Sequence, residues 1–225
     1  MKNAEGNIMK FVDAVRQIVA KEPTVPTEFI YTQLAQWFPE LKNRERCPNC
    51  SGSMKTYIFR FDVLDALLLI AMVKVVGQKL DQGEPFTEAN KVHVQKMDHA
   101  SYAIRSRTSQ CRQLGLVAKV LNAKGKQIGG TWCITRRGWE ALRGQQVPAE
   151  VRSFQNTIVE RSTKVTTIRE ALQSHAQAVQ DQRMSGKVPK SDHTARIDEY
   201  QQIDWVHYGE VAQGNLLNIP DGESF

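Results

Sequence analysis

An apolar run near the middle of the chain, VLDALLLIAMVKVV from Val63 to Val76, restricts the folds that are open to this sequence. Wound into a helix, the run is apolar on nearly all sides, so other elements must surround it. Asp65 and Lys74 interrupt it, and it is too short to cross a bilayer. We therefore predict a buried central helix and no membrane partner. A chain of 225 residues has room for one ample domain or two modest ones around such a helix.

Two amphipathic helices are predicted before this run. Apolar residues recur at helical spacing from Ile8 to Val19 and from about Thr27 to Phe38, and prolines lie close to both segments. Residues 1–41 should thus form a helical hairpin with a packing or dimerisation role, so a homodimer is one expected state. The first 20 residues include acids and lack an uninterrupted apolar core. We therefore predict no signal peptide and a cytoplasmic location.

The segment 42–62 contains Cys47-Pro-Asn-Cys50 with a glycine two residues later, which is the form of a zinc knuckle. Two thiolates three residues apart can hold one tetrahedral metal ion, and the glycine permits the tight turn around it. Three alternatives stay open for this pair. His93 and His99 could supply the further zinc ligands, a second copy of the chain could supply its own pair, or the cysteines could hold no metal. With four cysteines in the whole chain, thiol or metal chemistry in a reducing cytosol is favoured over a disulfide framework.

Positive charge is concentrated in one part of the chain. From Ser101 to Arg143 there are nine basic residues and one acid, a net charge of +8, whereas the remaining residues, 21 basic and 23 acidic, have a net charge of −2. A local excess of this kind is typical of a surface that binds nucleic acid. Basic residues that merely face solvent are the alternative, since surface charge runs are common.

A helix is predicted from Asp98, as the N-cap, to about Leu114, where Gly115 ends it. One arc of its helical wheel carries apolar residues, including Cys111, which we expect to be a buried structural thiol. Arg107 falls on that arc, so we expect it to pair structurally. The opposite arc carries the side chains that we expect to be exposed and able to contact phosphates and base edges in a major groove: Arg105, Ser109, Arg112 and Gln113.

A basic β-hairpin is predicted after Gly115. LVAKVL and TWCIT are its strands, and the turn between them carries Lys124 and Lys126. Thr135 should cap the following helix, whose first turn contains Arg136 and Arg137. The resulting order is helix, glycine, strand, basic turn, strand, helix.

Two short motifs in this region resemble those of winged-helix regulators of the multiple-antibiotic-resistance type. They are Gly115-Leu116-Val117 at the end of the recognition helix and Ile134-Thr135-x-x-Gly138 after the wing. The resemblance implies a winged helix-turn-helix domain over residues 63–150 that binds double-stranded DNA. Ser109, Gln113, Arg105 and Arg112 would then lie in or along the major groove, while the wing lysines, with Arg136 and Arg137, would hold phosphates.

A broader resemblance covers the order of the C-P-x-C pair, the apolar helix and the QLGLV and WCITRRGWEAL segments. This order of segments is similar to that of uncharacterised proteins encoded by phages and other mobile elements. This resemblance implies a regulator encoded by such an element, without defining an activity.

The rest of the chain predicts an extension of this domain. Residues 151–182 should form a strand, in which Phe154, Asn156 and Ile158 alternate, and a helix opened by the capping box Thr167-x-x-Glu170. Residues 183–225 have the composition of a linker and an acidic, aromatic tail; the tail has six acids and no Lys or Arg from position 197 onward. We expect it to dock on the chain's own basic face or on a partner. The predicted fold class is α+β, mainly helical.

No sequence pattern indicates catalysis. The chain has no phosphate-binding glycine loop and no H-E-x-x-H motif, so we do not expect an enzyme. The leading interpretation is a DNA-binding regulator. The alternative is a non-enzymatic adaptor or inhibitor that binds a host protein through the same winged-helix surface.

Overall fold

A computed structural model describes residues 56–154 and 157–189, together with His193 and Ile197. The predicted N-terminal hairpin, the Cys47–Cys50 pair and the acidic tail therefore lie outside the described residues. The described part is 47% helix and 23% strand, which confirms the mixed class predicted from the sequence. Within it, no helix is both long and apolar enough to span a bilayer.

The chain divides into two compact units whose boundaries differ from those of the predicted segments. One unit comprises Met1–Arg60 and Pro148–Lys164, and the other comprises Phe61–Val147 and Val165–Phe225. The described part of the first unit is an antiparallel sheet with the strand order β1 (Thr56–Arg60), β6 (Glu150–Phe154) and β7 (Thr157–Arg161).

The strand predicted through Phe154, Asn156 and Ile158 is wrong, because the chain reverses there. Ser153 pairs with Ile158 and Phe154 pairs with Thr157, so that β6 and β7 form a hairpin. Side chains that alternate between two faces are expected both for one long strand and for two strands of a hairpin, so the alternation does not distinguish them. The sequence also has no glycine or proline to mark the turn between the two strands.

The second unit is built around α1 (Val63–Asp81), which confirms the predicted central helix and extends it by five residues. Asp62 caps it: its Oδ1 accepts hydrogen bonds from the N–H groups of Leu64 (2.8 Å) and Asp65 (3.4 Å). The Asp65 carboxylate accepts in return from the N–H of Asp62, which completes a capping box. Every residue from Asp65 to Val73 is buried, because neighbouring helices and strands surround this stretch.

A short helix and a short strand follow α1. Helix α2 (Phe86–Ala89) leads into β2 (Val92–His93), which continues as a 3-10 turn over Val94–Lys96. β2 thus has only two residues. Val92 and Val94 are both buried.

The helix predicted from Asp98 to Leu114 is wrong in its start and its continuity. It is two helices, α3 (Tyr102–Arg105), capped by Ser101, and α4 (Thr108–Gln113). Between them the backbone tightens, since the N–H of Arg107 bonds to the carbonyl of Ile104, three residues back. The Ser106 hydroxyl donates to the Ala103 carbonyl (2.8 Å), and Arg107 is held by Asp62 on another helix. Serine hydroxyls compete with the helical ladder in this way, and the sequence pattern does not register it.

The hairpin predicted after α4 is present, but its second strand begins at Gln127, four residues before the predicted TWCIT strand. β3 (Val117–Leu121) and β4 (Gln127–Ile134) are antiparallel with one irregularity in register, and β2 pairs with β4, giving the sheet order β2-β4-β3. Helix α5 (Arg136–Leu142) follows. β5 (Val147–Pro148) and β8 (Val165–Thr166) form a two-stranded ribbon.

The last described helix, α6 (Ile168–Met184), opens with the predicted capping box. The Thr167 hydroxyl accepts from the N–H of Glu170 (3.1 Å), and the Glu170 carboxylate accepts from the N–H of Thr167 (2.8 Å). The buried side chains of this helix, Ile168, Leu172 and Val179, lie along one face, which packs against α1.

Candidate nucleic-acid interface

The two motifs quoted for the winged-helix resemblance make direct contact with one another. Gly115, at φ +77°, ends α4 in a left-handed conformation. Its N–H bonds to the Arg112 carbonyl and that of Leu116 bonds to the Cys111 carbonyl, the paired bonds of a Schellman motif. The Thr135 hydroxyl then donates to the Gly115 carbonyl (2.6 Å) and accepts from the N–H of Gly138 (3.0 Å). The end of α4 is thereby joined to the start of α5.

Position 138 must be glycine, because a side chain has no room at this junction. A Cβ atom there would lie 2.2 Å from the Leu116 carbonyl oxygen and 2.8 Å from Cγ2 of Ile134. Both contacts are shorter than atoms of these types can approach. The glycine therefore lets α5 pack directly on the beginning of β3.

Asn90 braces the base of the hairpin from the other side. Its amide nitrogen donates to the Ile134 carbonyl (2.9 Å), and its amide oxygen accepts from the Ile134 N–H (3.1 Å). The side chain is buried and replaces the partner strand that this edge of β4 lacks at Ile134. The base of the hairpin is thus fixed to the helical part of the unit.

The hairpin turn holds two lysines in solvent. The Asn122 side-chain oxygen accepts from the N–H groups of Lys124 (2.9 Å) and Lys126 (3.0 Å), an Asx turn, and Gly125 takes φ +70°. Residues 121–129 are all exposed. Within the described part of the chain, no carboxylate pairs with either ammonium group. The turn is therefore locally ordered while its charges stay available.

Helix α4 presents only part of the surface that was predicted. Ser109 is exposed and Arg112 is half-buried. Gln113 is 5% exposed, so the expectation that it lies on the outer surface is wrong. The helical wheel assumed one long helix, whereas α4 has only six residues. Gln113 is its last residue and points inward, just before Gly115 ends the helix.

Arg105 belongs to the shorter helix α3 and does not extend the surface of α4. Its Nη1 donates to the Gln95 carbonyl (2.6 Å). The prediction that Arg105 and Arg112 share one exposed arc of a single helix is therefore wrong, because the chain bends at Ser106 and Arg107. Arg136 and Arg137 occupy the first turn of α5 and are half-buried.

A buried polar cluster lies under α4, and sequence reasoning placed only some of its members. The expected structural pairing of Arg107 is confirmed: its Nη2 lies 2.6 Å from Oδ2 of Asp62. Gln110 donates to Oδ2 of Asp65 (2.7 Å), and the Cys111 thiol lies 3.4 Å from Oδ1 of Asp65. The sequence signal for this cluster was Asp65 itself, a carboxyl group inside an apolar run.

The electrostatics of this cluster are unusual. Burial, followed by the charge of the neighbouring Asp62, raises the pKa of Asp65 to about 7. Burial, with the adjoining Asp65 charge, likewise raises the pKa of the Cys111 thiol well above its ordinary value. The expected burial of Cys111 is thus confirmed, and the thiol stays protonated at neutral pH.

Metal ligands do not converge in the described residues. No group of three or more His, Cys, Asp or Glu side chains there could hold a metal ion. Nε2 of His99 lies 3.0 Å from the Ala71 carbonyl oxygen, and the His93 ring packs against Gly130. Burial raises the pKa of the Cys133 thiol to about 11, which disfavours the thiolate that a metal would need. Cys47 and Cys50 lie outside the described residues, so zinc binding by this pair stays a prediction.

Comparison of the chain with models of protein families, with curated proteins and with solved structures gave no match.

Proposed function

We propose that the second unit is a winged helix that binds double-stranded DNA in a regulatory role. The support from its fold is the order of elements: a central helix, a four-residue helix, a short strand, two short helices joined by a tight turn, and a β-hairpin. This order agrees with the one that the resemblance implies. A helix-turn-helix places its second helix in the major groove, which here is α4.

The observation that carries the proposal is the wing turn. Lys124 and Lys126 are exposed on an ordered hairpin tip, and no acidic residue occurs in the sequence from position 99 to position 139. A surface with this local excess of positive charge attracts phosphates. Because the end of α4 is joined to the hairpin through Gly115, the two elements can act as one binding surface.

The proposed roles follow from where each side chain lies. Ser109, exposed on α4, contacts base edges or phosphates in the major groove. Arg112 contacts phosphates along the groove, Lys124 and Lys126 hold phosphates beside it, and Arg136 and Arg137 add positive charge behind the wing. Gln113 has no role in this interface, because it is buried.

Fluorescence anisotropy with a duplex of random sequence, over a series of salt concentrations, tests the proposal. Four phosphate contacts predict that the logarithm of affinity falls with the logarithm of salt concentration with a slope of about −4. Binding that is undetectable even at low salt would contradict DNA binding.

A second candidate function is favoured by the apolar side chains of the same hairpin. Leu121 and Ile128 are 49% and 43% exposed beside the wing lysines. Exposed aliphatic side chains of this kind are also found where one protein binds another. A non-enzymatic adaptor would use this surface on a host protein, and it would show no salt-dependent duplex binding.

A further inference from the structure

The carboxyl group of Asp65 joins the central helix α1 to the helix α4 that we propose enters the major groove. It is fully buried, and its partners lie on both helices: the Asp62 N–H (3.0 Å) on α1, and Gln110 (2.7 Å) and Cys111 (3.4 Å) on α4. Arg107, the N-cap residue of α4, is bound to Asp62. The N-terminal part of α4 is therefore hydrogen-bonded to α1 through two aspartates.

We propose that Asp65 is a positioning residue for α4 whose carboxyl group works in two protonation states, and that this proton sets how firmly α4 is seated on α1. The consequence for duplex affinity rests on the function proposed above, whereas the seating of α4 does not.

The cluster contains a hydrogen-bond arrangement for each state. When Asp65 is ionised, the Cys111 S–H donates to Oδ1 at 3.4 Å. When Asp65 is protonated at Oδ1, its O–H donates to the sulfur, and the S–H turns to the Asp65 backbone carbonyl oxygen at 3.9 Å. Gln110 and the Asp62 N–H donate to Oδ2 in both states. Neither state leaves the carboxyl group without partners.

The charges that act on Asp65 come from its own helix cap and from α4. They are Asp62, which lies on the side of α1, and Arg107, which lies on the side of α4; the neutral Cys111 thiol on α4 acts through its hydrogen bond. With Asp65 neutral, Asp62 and Arg107 compensate each other. With Asp65 ionised, the cluster has one net negative charge in a buried place directly under α4. That charge is unfavourable there, so α4 opens more readily and phosphates near it are repelled.

The pKa of about 7 places this change at neutral pH. Because the pKa is raised above the ordinary value of 3.8, the folded state binds the proton more tightly than the unfolded state. Its contribution to stability is therefore complete below about pH 4 and is lost as the pH rises through about 7.

Asp65→Asn tests the proposal, because the amide imitates the protonated carboxyl group. The matched control is Asp81→Asn, the same change at an exposed position at the end of the same helix. Denaturant unfolding of the full chain is measured from about pH 5 to about pH 8.5. We expect the unfolding equilibrium constant of the parent and of the control to rise by roughly one to three orders of magnitude more than that of Asp65→Asn. An equal rise in all three proteins would overturn the proposal.

Amide hydrogen exchange reports the seating of α4 directly. Protection of the Cys111 and Leu114 amides, corrected for intrinsic exchange rates, should fall with pH in the parent and stay level in Asp65→Asn. Protection that is independent of pH in the parent contradicts the role of Asp65. Duplex affinity should fall roughly twofold to fivefold over the same range in the parent and in Asp81→Asn but not in Asp65→Asn. If no protein binds duplex, the proposed function fails, and unfolding and exchange still decide the role of Asp65.

Cys111→Ala provides a second variant in case Asp65→Asn does not fold. It removes the S–H donor that favours the ionised carboxyl group, so the pH at which stability falls should move upward. A downward movement, or no movement, counts against the proposal. The carboxyl carbon resonance of Asp65 in the parent gives the same midpoint without any substitution.

Discussion

The hydroxyl of Thr135 donates a hydrogen bond to the carbonyl oxygen of Gly115 at 2.6 Å, across twenty residues of sequence. This bond joins the residue that ends α4 to the residue that caps α5. The intervening hairpin therefore begins and ends at one anchored point. Because the base of the hairpin is fixed in this way, the hairpin that carries the wing lysines is attached directly to the end of α4.

Replacing Thr135 by Val should lower the free energy of unfolding by about 1–3 kcal/mol. Valine keeps the shape of threonine but leaves the Gly115 carbonyl and the Gly138 N–H, both in buried positions, without their partner. Thr135→Ser, which keeps the hydroxyl, is the matched control and should recover most of the loss in denaturant unfolding. Equal stabilities of the Val and Ser variants would show that the hydroxyl is not the anchor.

Replacing Gly138 by Ala should cost roughly 1–3 kcal/mol or more, because the added methyl group meets backbone that cannot move aside easily. Gly129→Ala is the control, since a Cβ at that strand position has nothing within 4 Å. Thermal unfolding of both variants measures the difference. A Gly138→Ala variant as stable as Gly129→Ala would mean that α5 does not pack on β3 as closely as described.

The four thiols should react at different rates with an alkylating reagent at about pH 8. Cys133, with a pKa of about 11, should react roughly a hundredfold more slowly than an ordinary thiol, and buried Cys111 should not react until the protein unfolds. If Cys47 and Cys50 hold zinc, a chelator should accelerate their alkylation and leave Cys133 unchanged. Mass spectrometry of the modified peptides measures each site. Reaction of Cys47 and Cys50 at one rate with and without chelator argues against zinc.

Removing residues 197–225 should tighten duplex binding at low salt if the acidic tail competes for the basic surface. The tail has six acids and no Lys or Arg after position 196. The control keeps the length of the tail and changes its six acids to the corresponding amides. Binding that weakens in both variants would exclude competition by the tail.

Local patterns predicted the elements that depend on neighbouring residues. The central helix, the Thr135 cap, the Thr167 capping box, the first wing strand and the inward position of Cys111 were all visible in the sequence. In each case a short range of residue types determines the conformation, as in a cap or a period of apolar positions.

The features that were missed depend on contacts between distant residues. The break at Ser106 and Arg107 arises where Arg107 binds Asp62, 45 positions earlier. No local pattern marks Asn90, because its two bonds to Ile134 span 44 positions. The inward turn of Gln113 likewise follows from the packing of the end of α4. A helical wheel treats the helix as continuous, and it cannot register such contacts.

The central claim is that the wing lysines hold phosphates, and the salt dependence of duplex binding by Lys124→Gln/Lys126→Gln measures this most directly. Lys164→Gln/Lys187→Gln is the matched control, because it removes the same charge from exposed lysines elsewhere. Loss of two phosphate contacts should flatten the salt slope by about 2 in the wing variant and leave the control at the parent slope. An unchanged slope in the wing variant, or an equal change in both, contradicts the account.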